Sequence, residues 1–452
     1  MQRRDLLKSF VAASLCSAFP LSLAQASARA LPWKNWSANQ SCLPKSRIAP
    51  ENIDQLSSIL KGHNGTVRAV GSGHSFTALV PTDDTLLSLR NFTSVNPVTG
   101  SNQQADIGAG ISLQQLGLKL DKIGQALINM PDIDKQTLAG SISTATHGTG
   151  RMLGSLSSYI TELEFMDAQG DLHLCNKQVN PDLFDAARVG LGALGIITRV
   201  RMQNTQPFNL KRVGTWRPYE EAFAQAKNLA DIHRNFEFYV IPFTGMTLSD
   251  SLDITSAPVT ESEELNSNDG LGDLKMARDY LGWSNKAREL VLGSYMKTLE
   301  PSANIDHSFK IYSSERSVRF NEMEYHLPYE TGIEALQEIV NLIERKFPEV
   351  FFPIECRFVK GDDCWLSPFY RRDSISIAVH RFFEEDYLPL FKEIEPIFRK
   401  YEGRPHWGKL NTLGYPEFAS LYPRFKDFLA IRESLDPSQR FANDYLKKTF
   451  AL

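Results

Sequence analysis

The sequence is poor in cysteine and has no strong excess of charge of either sign. Its five cysteines are spread over 452 residues, with no Cys-x-x-Cys pair and no Cys/His spacing typical of a metal site. The formal net charge is only −4, and no run of basic residues with interleaved aromatics occurs. These absences argue against a metal site and against nucleic-acid binding, so a small-molecule ligand is expected.

The chain also lacks an uninterrupted apolar run long enough to span a membrane. Its most apolar stretch, 9–23, is broken by a proline and several serines, and it follows Arg3 and Arg4. Paired arginines, an apolar stretch and then small residues at 24–28 are typical of a twin-arginine signal, with a plain secretory signal as the alternative. We expect the twin-arginine machinery to export the protein, removal of residues 1–28, and a bacterial periplasmic or secreted location without a stable membrane span.

The cysteines fit this route of export. Cys16 lies in the segment expected to be removed, which leaves Cys42, Cys175, Cys356 and Cys364. Twin-arginine export carries proteins that fold in the reducing cytoplasm, so the fold cannot depend on disulfides. We expect free thiols, or at most one late disulfide. The same route is typical of proteins that acquire a cofactor before export.

A complete dinucleotide fingerprint, G-x-G-x-x-G, is also missing. Residues 67–70 alternate like a short strand, and Gly71, Ser72 and Gly73 then allow a tight turn whose N–H groups point outward. Such a turn can cradle a pyrophosphate. Phe76 stands where the third glycine of the fingerprint would be, so a nucleotide would be held in another way.

His74 stands at the mouth of this turn, beside Ser75. An imidazole here can act as a nucleophile or as a hydrogen-bonding group, and a local loop hydrogen bond is the simpler alternative. Two further stretches are rich in small residues: 137–150, which ends in His-Gly-Thr-Gly, and 190–198, which has three glycines and ends in a strand. Small residues let the backbone approach a flat, polar ligand, although 137–150 is also compatible with a surface loop.

Together, in this order, the three stretches resemble the flavin domain of the vanillyl-alcohol oxidase superfamily, and more closely its aldonolactone oxidoreductases. The resemblance continues at His-Trp-Gly-Lys, 406–409, and at 435–446, so it covers nearly the whole chain after the signal. It implies FAD, bound covalently where a histidine occupies the place of His74. The positions it implies for cofactor binding are Gly71, Ser72, Gly73, His74, Ser75, Gly140, Ser141, Ser143, Thr144, Thr146, His147, Gly148, Gly195, Ile197 and Lys409.

The resemblance further implies an α+β, two-domain fold of the vanillyl-alcohol oxidase type. An FAD-binding domain of two α/β subdomains is expected at 31–205. A cap domain, an antiparallel sheet flanked by helices, is expected at 206–411, and 412–452 is expected to return to the FAD-binding domain. Within the cap, the acidic, low-complexity stretch 260–273 is typical of a solvated loop.

Alcohol oxidation by a flavin needs a hydride path, removal of the hydroxyl proton, and a positive charge for the reduced ring. Lys409 is expected to supply that charge beside the pyrimidine side of the ring, with a surface salt bridge as the alternative. Glu355 and Arg357 share one face of a strand and can bind vicinal hydroxyls. The resemblance implies that this pair contacts the substrate; the alternative is an ion pair on the outside of a sheet.

A proton acceptor is harder to assign from the sequence. His380 alternates with apolar residues on the polar face of its strand, together with Ser374 and Ser376, and is a candidate for accepting the hydroxyl proton. Glu322 and Glu324 form a similar pair, and the sequence leaves open which of them reaches the site. The predicted catalytic residues are therefore Glu355, Arg357, Lys409 and His380.

The Asp-Ile-Asp-x-Gln-Thr form of 132–137 favours a sugar 1,4-lactone as substrate, of the gulono-, galactono- or arabinono- type. An alditol or other polyol is the alternative among enzymes, and a periplasmic sugar-binding protein without catalysis is the alternative from another class. The sequence leaves the electron acceptor open between O2 and a cytochrome- or quinone-type partner.

Overall fold

The structure is a computed structural model that describes residues 32–260, 269–313, 316 and 318–452. The predicted signal at 1–28 and most of the acidic stretch 260–273 lie outside these residues. Within the described ranges, no helix is both long enough and apolar enough to cross a membrane. The four described cysteines are free thiols, and three of them are buried.

The first part of the chain forms two main sheets. Three short parallel strands lie in the order β3-β5-β4, and five antiparallel strands lie in the order β6-β7-β10-β8-β9. The strands are β1 (Trp33–Lys34), β2 (Ser41–Cys42), β3 (Ser46–Ile48), β4 (Val67–Ala69), β5 (Thr85–Leu87), β6 (Val95–Pro97), β7 (Gln104–Gly108), β8 (Ile160–Met166), β9 (Leu172–Asn176) and β10 (Ile196–Gln203).

Four α-helices accompany these strands: α1 (Ile53–Gly62), α2 (Leu113–Lys122), α3 (Leu138–Ser143) and α4 (Pro181–Ala187). The side chain of Asn52 caps α1 by accepting a hydrogen bond from the backbone N–H of Gln55. Leu56 and Leu60, four residues apart, are fully buried from one side of α1. This burial holds α1 against the core beside β4.

The second part of the chain forms one antiparallel sheet of eight strands, ordered β14-β11-β13-β12-β16-β17-β15-β18. The strands are β11 (Asn209–Pro218), β12 (Asn235–Ile241), β13 (Met246–Thr255), β14 (Ser302–His307), β15 (Phe320–Pro328), β16 (Ile354–Val359), β17 (Ser374–Phe382) and β18 (Arg404–Pro405). Nearly every residue of β12, β15, β16 and β17 is buried, so both faces of the sheet are covered at its centre. Polar side chains on these strands are therefore held away from bulk water.

The periodicity at 332–346 predicts a helix that the structure contains with the same bounds. It is one of ten remaining α-helices in the described residues, which pack around this sheet or complete the chain. They are α5 (Tyr219–Ile232), α6 (Asp269–Leu281), α7 (Asn285–Arg288), α8 (Ser294–Met296), α9 (Ser308–Ile311), α10 (Gly332–Lys346), α11 (Leu388–Lys400), α12 (Tyr415–Leu421), α13 (Phe425–Leu435) and α14 (Asp444–Phe450).

The end of the chain contacts the strand and turn near its beginning. The backbone N–H of Val67 donates to the carbonyl of Arg440 at 2.8 Å. The side-chain amide of Asn443 donates to the carbonyls of Ala78 and Pro81, each at 2.8 Å. The C-terminal segment thus supports β4 and the turn that follows it, while the predicted domain boundaries stay predictions.

Candidate active site

A cavity of about 350 Å³ lies beside β4 and is lined by all three stretches rich in small residues. Its lining contains basic side chains, among them Arg90 and Lys135, but no carboxylate from the described chain. The surroundings therefore favour an anionic ligand. The predicted cofactor-binding residues that line it are Gly71, Ser72, Gly73, His74, Ser75, Gly140, Ser143, Thr144, Gly195 and Ile197.

The turn at 71–75 has the geometry of an anion cradle. Its five consecutive backbone N–H groups donate no hydrogen bond to any residue that the structure describes. Gly73 has φ of +72°, a conformation that glycine adopts without strain. A Cβ on Gly71 would lie 2.2 Å from Oγ1 of Thr137, so only glycine lets the two stretches approach this closely. These residues fit the pyrophosphate of a dinucleotide.

His74 lines the same cavity, and its ring stacks on Trp36 with centroids 5.6 Å apart. Burial, followed by the positive charge of Lys409, lowers the pKa of His74 to about 4. The imidazole is therefore neutral at neutral pH, and a ring nitrogen keeps a free electron pair.

The other predicted cofactor-binding residues do not line this cavity. Ser141 belongs to α3 and donates its hydroxyl to the carbonyl of Leu138 at 2.8 Å. Oγ1 of Thr146 is buried and has no hydrogen-bond partner in the described part of the chain. The structure places these two side chains, together with His147, Gly148 and Lys409, outside the cavity lining.

Lys409 lies near His74, where its charge adds to the effect of burial in lowering the pKa, and it contacts carboxylates of the eight-stranded sheet. Its ammonium group contacts the carboxylate of Glu322, lies 3.9 Å from Oε2 of Glu324, and lies 5.1 Å from the ring centroid of Phe76. Burial opposes its charge, but Glu322 and Glu324 outweigh that effect and raise the pKa of Lys409. Lys409 is thus an enclosed cation rather than one half of a surface salt bridge.

Glu322 also faces His380, because the two residues pair across β15 and β17. Nε2 of His380 lies 3.6 Å from Oε1 of Glu322, and its ring stacks on Phe352 with centroids 4.8 Å apart. Burial would raise the pKa of Glu322, but the charge of Lys409 and then the interaction with the imidazole of His380 lower it below the usual range. One ionised carboxylate therefore serves both the lysine and the histidine.

Glu324 belongs to a second group of buried side chains. Its Oε1 lies 3.1 Å from Nε2 of His147 and accepts a hydrogen bond from Ser376 at 2.6 Å. His326, next to them, has both ring nitrogens buried without a partner among the described residues, and burial holds its pKa well below the usual range. Ligand atoms of His147, Glu324 and His326 all lie within 4.8 Å of one another. Hydrogen bonds join His147 and Ser376 to Glu324, whereas His326 is packed beside them without one from any described residue.

Glu355 and Arg357 project from the same face of β16, as their spacing predicts. Nε of Arg357 donates to Oε1 of Glu355 at 2.9 Å, and both side chains are more than nine-tenths buried. The alternative of an ion pair on the outside of a sheet is therefore wrong. The guanidinium also lies 3.0 Å from Oδ2 of Asp132 and 3.3 Å from Oε2 of Glu237.

Sequence reasoning missed three residues that contact this pair, Asp132, Glu237 and Tyr239. It also missed Tyr312 and Arg316, which contact those residues. The hydroxyl of Tyr239 lies 2.9 Å from Oε1 of Glu355 and 3.0 Å from Oε1 of Glu237, and it donates its single proton to one of these carboxylates at a time. The hydroxyl of Tyr312 donates to Glu237 at 2.6 Å. Arg316 contacts Asp132.

A signal for two of these partners was present in the sequence. Glu237 and Tyr239 stand two residues apart and alternate with the apolar residues Phe236, Phe238 and Val240, the same pattern as at Glu355 and Arg357. In the sheet, Glu237 pairs with Arg357, and Tyr239 pairs with Glu355. Asp132 begins the Asp-Ile-Asp-x-Gln-Thr motif, but nothing in that motif shows that its side chain meets Arg357. No local pattern marks Tyr312 or Arg316, because they come from a distant segment.

Comparison with known families agrees with these features. Residues 44–176 match an FAD binding domain, and residues 200–449 match the family model of D-arabinono-1,4-lactone oxidase, more than half of the chain. The chain belongs to the D-arabinono-1,4-lactone oxidase family. The class predicted from the motifs, an FAD-dependent aldonolactone oxidoreductase, is confirmed by this membership.

Relatives of this D-arabinono-1,4-lactone oxidase family member extend over nearly the whole chain. The L-gulono-1,4-lactone dehydrogenase of Mycobacterium tuberculosis is 32% identical, covering 92% of this chain and 98% of its own. The L-gulonolactone oxidase of Mus musculus is 31% identical, with 93% and 99% covered. An alditol oxidase from Streptomyces is 26% identical, with 91% and 97% covered.

At the level of the fold, the crystal structure of cholesterol oxidase from B. sterolicum is similar to this family member, with a TM-score of 0.75. It covers 93% of this chain and 96% of the other, at 16% sequence identity. The predicted fold class, an α+β fold of the vanillyl-alcohol oxidase type, is therefore confirmed.

Proposed function

We propose that the protein oxidises a hydroxyl-bearing carbon of a sugar 1,4-lactone of the gulono-, galactono- or arabinono- type. The observation that carries this proposal is the continuity of two buried polar groups, one around Arg357 and one around Lys409. Asp132 lies near both: it contacts Arg357 directly, and the charges of Arg357, Arg316 and, more weakly, Lys409 hold its pKa low against the effect of burial. Hydroxyl-binding groups and a cation thus share one enclosed site.

The cavity beside β4 fits FAD. We infer that the N–H groups of 71–75 hold its pyrophosphate and that 190–197 and 139–144 contact the remainder. When bound, FAD supplies the two-electron acceptor for the reaction. His74 is proposed to hold the cofactor covalently, because the residue lines the cavity and carries a neutral imidazole.

Glu355 and Arg357 are proposed to bind and orient the lactone. A guanidinium offers several donors in one plane and a carboxylate accepts hydroxyl protons, so together they recognise vicinal hydroxyls. Tyr239 and Tyr312 donate to the carboxylates beside Arg357 and so limit the orientations open to these groups. Burial of the pair excludes water from competing for the same hydrogen bonds.

His380 is proposed to accept the hydroxyl proton at Nε2. A proton taken up there faces Oε1 of Glu322 at 3.6 Å, and the resulting positive charge is stabilised by that carboxylate. Lys409, on the other oxygen of Glu322, keeps its charge at neutral pH and can stabilise negative charge that develops nearby. Glu322 then positions both groups and is our candidate positioning residue.

The decisive experiment is anaerobic mixing of the purified, yellow holoprotein with a panel of aldonolactones and alditols. We expect the flavin absorbance to bleach with a lactone and to remain with alditols. Bleaching by alditols alone would transfer the assignment to polyol oxidation, and a protein that no panel member bleaches would fit a sugar-binding role. Admission of air then separates the two acceptor classes, since rapid recovery indicates an oxidase and slow recovery a dehydrogenase.

Export is a separate part of the proposal. We propose that residues 1–28 direct the folded protein through the twin-arginine machinery to the periplasm or the exterior of a bacterial cell. Replacing Arg3 and Arg4 with lysine keeps the charge and should block export, with the protein retained in the cytoplasm. A matched Lys8→Arg variant should be exported normally. Export of the double lysine variant at the wild-type level would contradict the assignment.

A further inference from the structure

Tyr239 lies between two buried carboxyl groups and has one proton for both. Its hydroxyl oxygen lies 2.9 Å from Oε1 of Glu355 and 3.0 Å from Oε1 of Glu237, and these glutamates are only 6% and 4% exposed. A carboxylate only accepts hydrogen bonds, and a phenol donates one. If both glutamates are ionised, one of the two contacts therefore brings lone pairs of two oxygens together.

The strand register holds this arrangement in place. Across the antiparallel strands β12 and β16, Glu237 pairs with Arg357. Two residues further on, Tyr239 pairs with Glu355. Residues two apart on a strand share a face, so all four side chains project from the same side of the sheet. Backbone hydrogen bonds between the strands thus bring the phenol and the two carboxyl groups together.

The second oxygen of Glu237 is occupied by donors. Its Oε2 accepts from the hydroxyl of Tyr312 at 2.6 Å and lies 3.3 Å from Nε of Arg357. Both tyrosines are neutral, because burial raises their pKa values well above the usual range. An added proton therefore belongs on Oε1, the oxygen that faces the phenol. It completes a chain in which Glu237 donates to Tyr239 and Tyr239 donates to Glu355.

The charges in direct contact also favour an added proton. The guanidinium of Arg357 contacts the acidic side chains of Asp132, Glu237 and Glu355. Arg316 contacts Asp132. This buried group therefore has three carboxyl groups for two guanidinium groups, and one proton balances its charge. Closely spaced carboxyl groups commonly share a proton in this way.

The neighbouring strand β13 adds a further negative charge. Asp250 pairs with Glu237 across the sheet, and its carboxylate already bonds to Arg212. Burial raises the pKa of Glu237 to about 7 against the opposing charge of Arg357. The charges of Glu355 and Asp250 add to the effect of burial. The surroundings of Glu237 thus agree with the proton that the hydrogen-bond geometry requires.

We propose that Glu237 holds a proton that it shares with Glu355 through Tyr239, and that this proton prepares the site for the lactone. A neutral Glu237 does not compete with the substrate for Arg357, and Glu355 receives a fixed hydrogen bond from Tyr239. Glu237 is a positioning residue, because it acts on the substrate through these neighbours. The effect on catalysis rests on the proposed function, in which Glu355 and Arg357 bind the lactone.

Infrared difference spectroscopy of the holoprotein detects the proton without any substrate. A protonated carboxyl group has a C=O stretching band that a carboxylate lacks. Subtracting the spectrum of Glu237→Gln from that of the wild type removes the bands of the flavin and of other carboxyl groups. We expect one such band at about pH 6 and its loss by about pH 9. Glutamine has nearly the same shape and can donate to Tyr239, so the variant should keep its fold and flavin.

Two further variants make the measurement specific. Tyr239→Phe should keep the Glu237 band but move it to higher frequency, because the carboxyl O–H group loses the phenol oxygen as its acceptor. Glu395→Gln is the matched control. Glu395 is also buried beside a tyrosine, but its hydrogen bonds with Tyr325 and Thr412 are all donated to it. Its replacement should leave the Glu237 band unchanged.

The pH dependence of lactone binding tests the second half of the proposal. In anaerobic stopped-flow mixing, the lactone concentration for half-maximal bleaching rate should rise at least about tenfold from about pH 6 to about pH 9 in the wild type. The reason is that an ionised Glu237 competes for Arg357. In Glu237→Gln the same change of pH should alter this concentration by less than about twofold, whereas Glu395→Gln should follow the wild type.

Two results would overturn the proposal. One is a spectrum of the wild type at about pH 6 in which Glu237 contributes a carboxylate band and no carboxyl band. The other is an equal pH dependence of lactone binding in the wild type and in Glu237→Gln. A protein that shows the carboxyl band but is bleached by no lactone would contradict the proposed function. It would keep the shared proton and remove the role assigned to that proton in lactone binding.

Discussion

Arg357 is the residue at which most charges of the candidate site meet. Its guanidinium contacts three carboxylates, those of Asp132, Glu237 and Glu355, and all of them are buried or nearly so. Burial alone would make such a cation costly, and these neighbours raise its pKa well above the usual range. Arg357 therefore stays charged and oriented whether or not a substrate is present.

Replacing Arg357 with alanine tests its proposed role in binding the lactone. We expect kcat/KM to fall by about 100-fold or more, because a charged hydrogen-bonding group is removed and its carboxylate partners are left uncompensated. The flavin should be retained, since Arg357 does not line the cavity beside β4. Steady-state kinetics with the best lactone give the first quantity and the visible spectrum the second.

Arg399→Ala is the matched control, because it removes an exposed guanidinium that pairs with Glu417 at the surface. Its kinetics should match those of the wild type. Unchanged kinetics in the Arg357 variant would show that the substrate binds elsewhere.

Covalent attachment of the flavin through His74 can be tested by acid precipitation. In the wild type we expect the yellow colour to stay with the protein after acid precipitation, because a covalent bond survives denaturation. His74→Ala should release its flavin into the supernatant, and His63→Ala, a histidine outside the cavity, should behave like the wild type. A wild-type protein that releases all of its flavin would contradict the covalent attachment.

The turn at 71–75 is the element on which cofactor binding depends. Its N–H groups donate to no residue in the described part of the chain, and its close approach to Thr137 requires glycine at position 71. Gly71→Ala should force the two stretches apart, at a cost of about 1–3 kcal/mol for an overpacked contact. We expect the ratio of flavin to protein to fall by about tenfold or more.

Gly62→Ala provides the control, because a Cβ there meets nothing within 4 Å. Its flavin content should match the wild type. Absorbance at the flavin and protein bands of the purified variants gives both ratios, and full loading of Gly71→Ala would remove this turn from the cofactor site.

The apolar periodicity of the sequence predicts some helices and strands better than others. The strand at 374–382 and the helix at 332–346 have the bounds that their patterns predict, because in each of them a long, regular spacing of apolar residues matches the side that is buried. Within 137–150 the structure instead contains the helix Leu138–Ser143. Six residues with two serines show no helical periodicity, and the helix is held by tertiary hydrogen bonds from Leu138 to Ile111 and from Ala139 to Ala109.

At the scale of the whole molecule, Arg68 ties distant segments together. Its buried guanidinium donates to the carbonyls of Leu79, Leu191, Gly192 and Phe441. These acceptors belong to the turn after β4, the third stretch of small residues and the C-terminal segment. Burial lowers the pKa of Arg68 to about 10, so the residue remains charged at neutral pH.

Arg68→Met should lower the free energy of unfolding by about 3–5 kcal/mol, because buried carbonyls lose their donors. Arg47→Met, in the neighbouring parallel strand, removes an exposed arginine and should change stability by less than about 0.5 kcal/mol. Urea unfolding of both holoproteins at one FAD concentration makes the comparison. Equal stability of the two variants would show that other contacts hold the three segments together.

The sequence alone determined those features that depend on local chemistry. The tight turn follows from the glycines at 71 and 73, and the shared face of Glu355 and Arg357 follows from the two-residue period of a strand. The family motifs can likewise be recognised in the sequence without a structure. Only the tertiary structure decided that Asp132 and Glu237 surround Arg357. It also decided that both Glu322 and Glu324 reach the site, with different partners. These contacts join segments far apart in the chain, and long-range strand order leaves no local trace in a sequence.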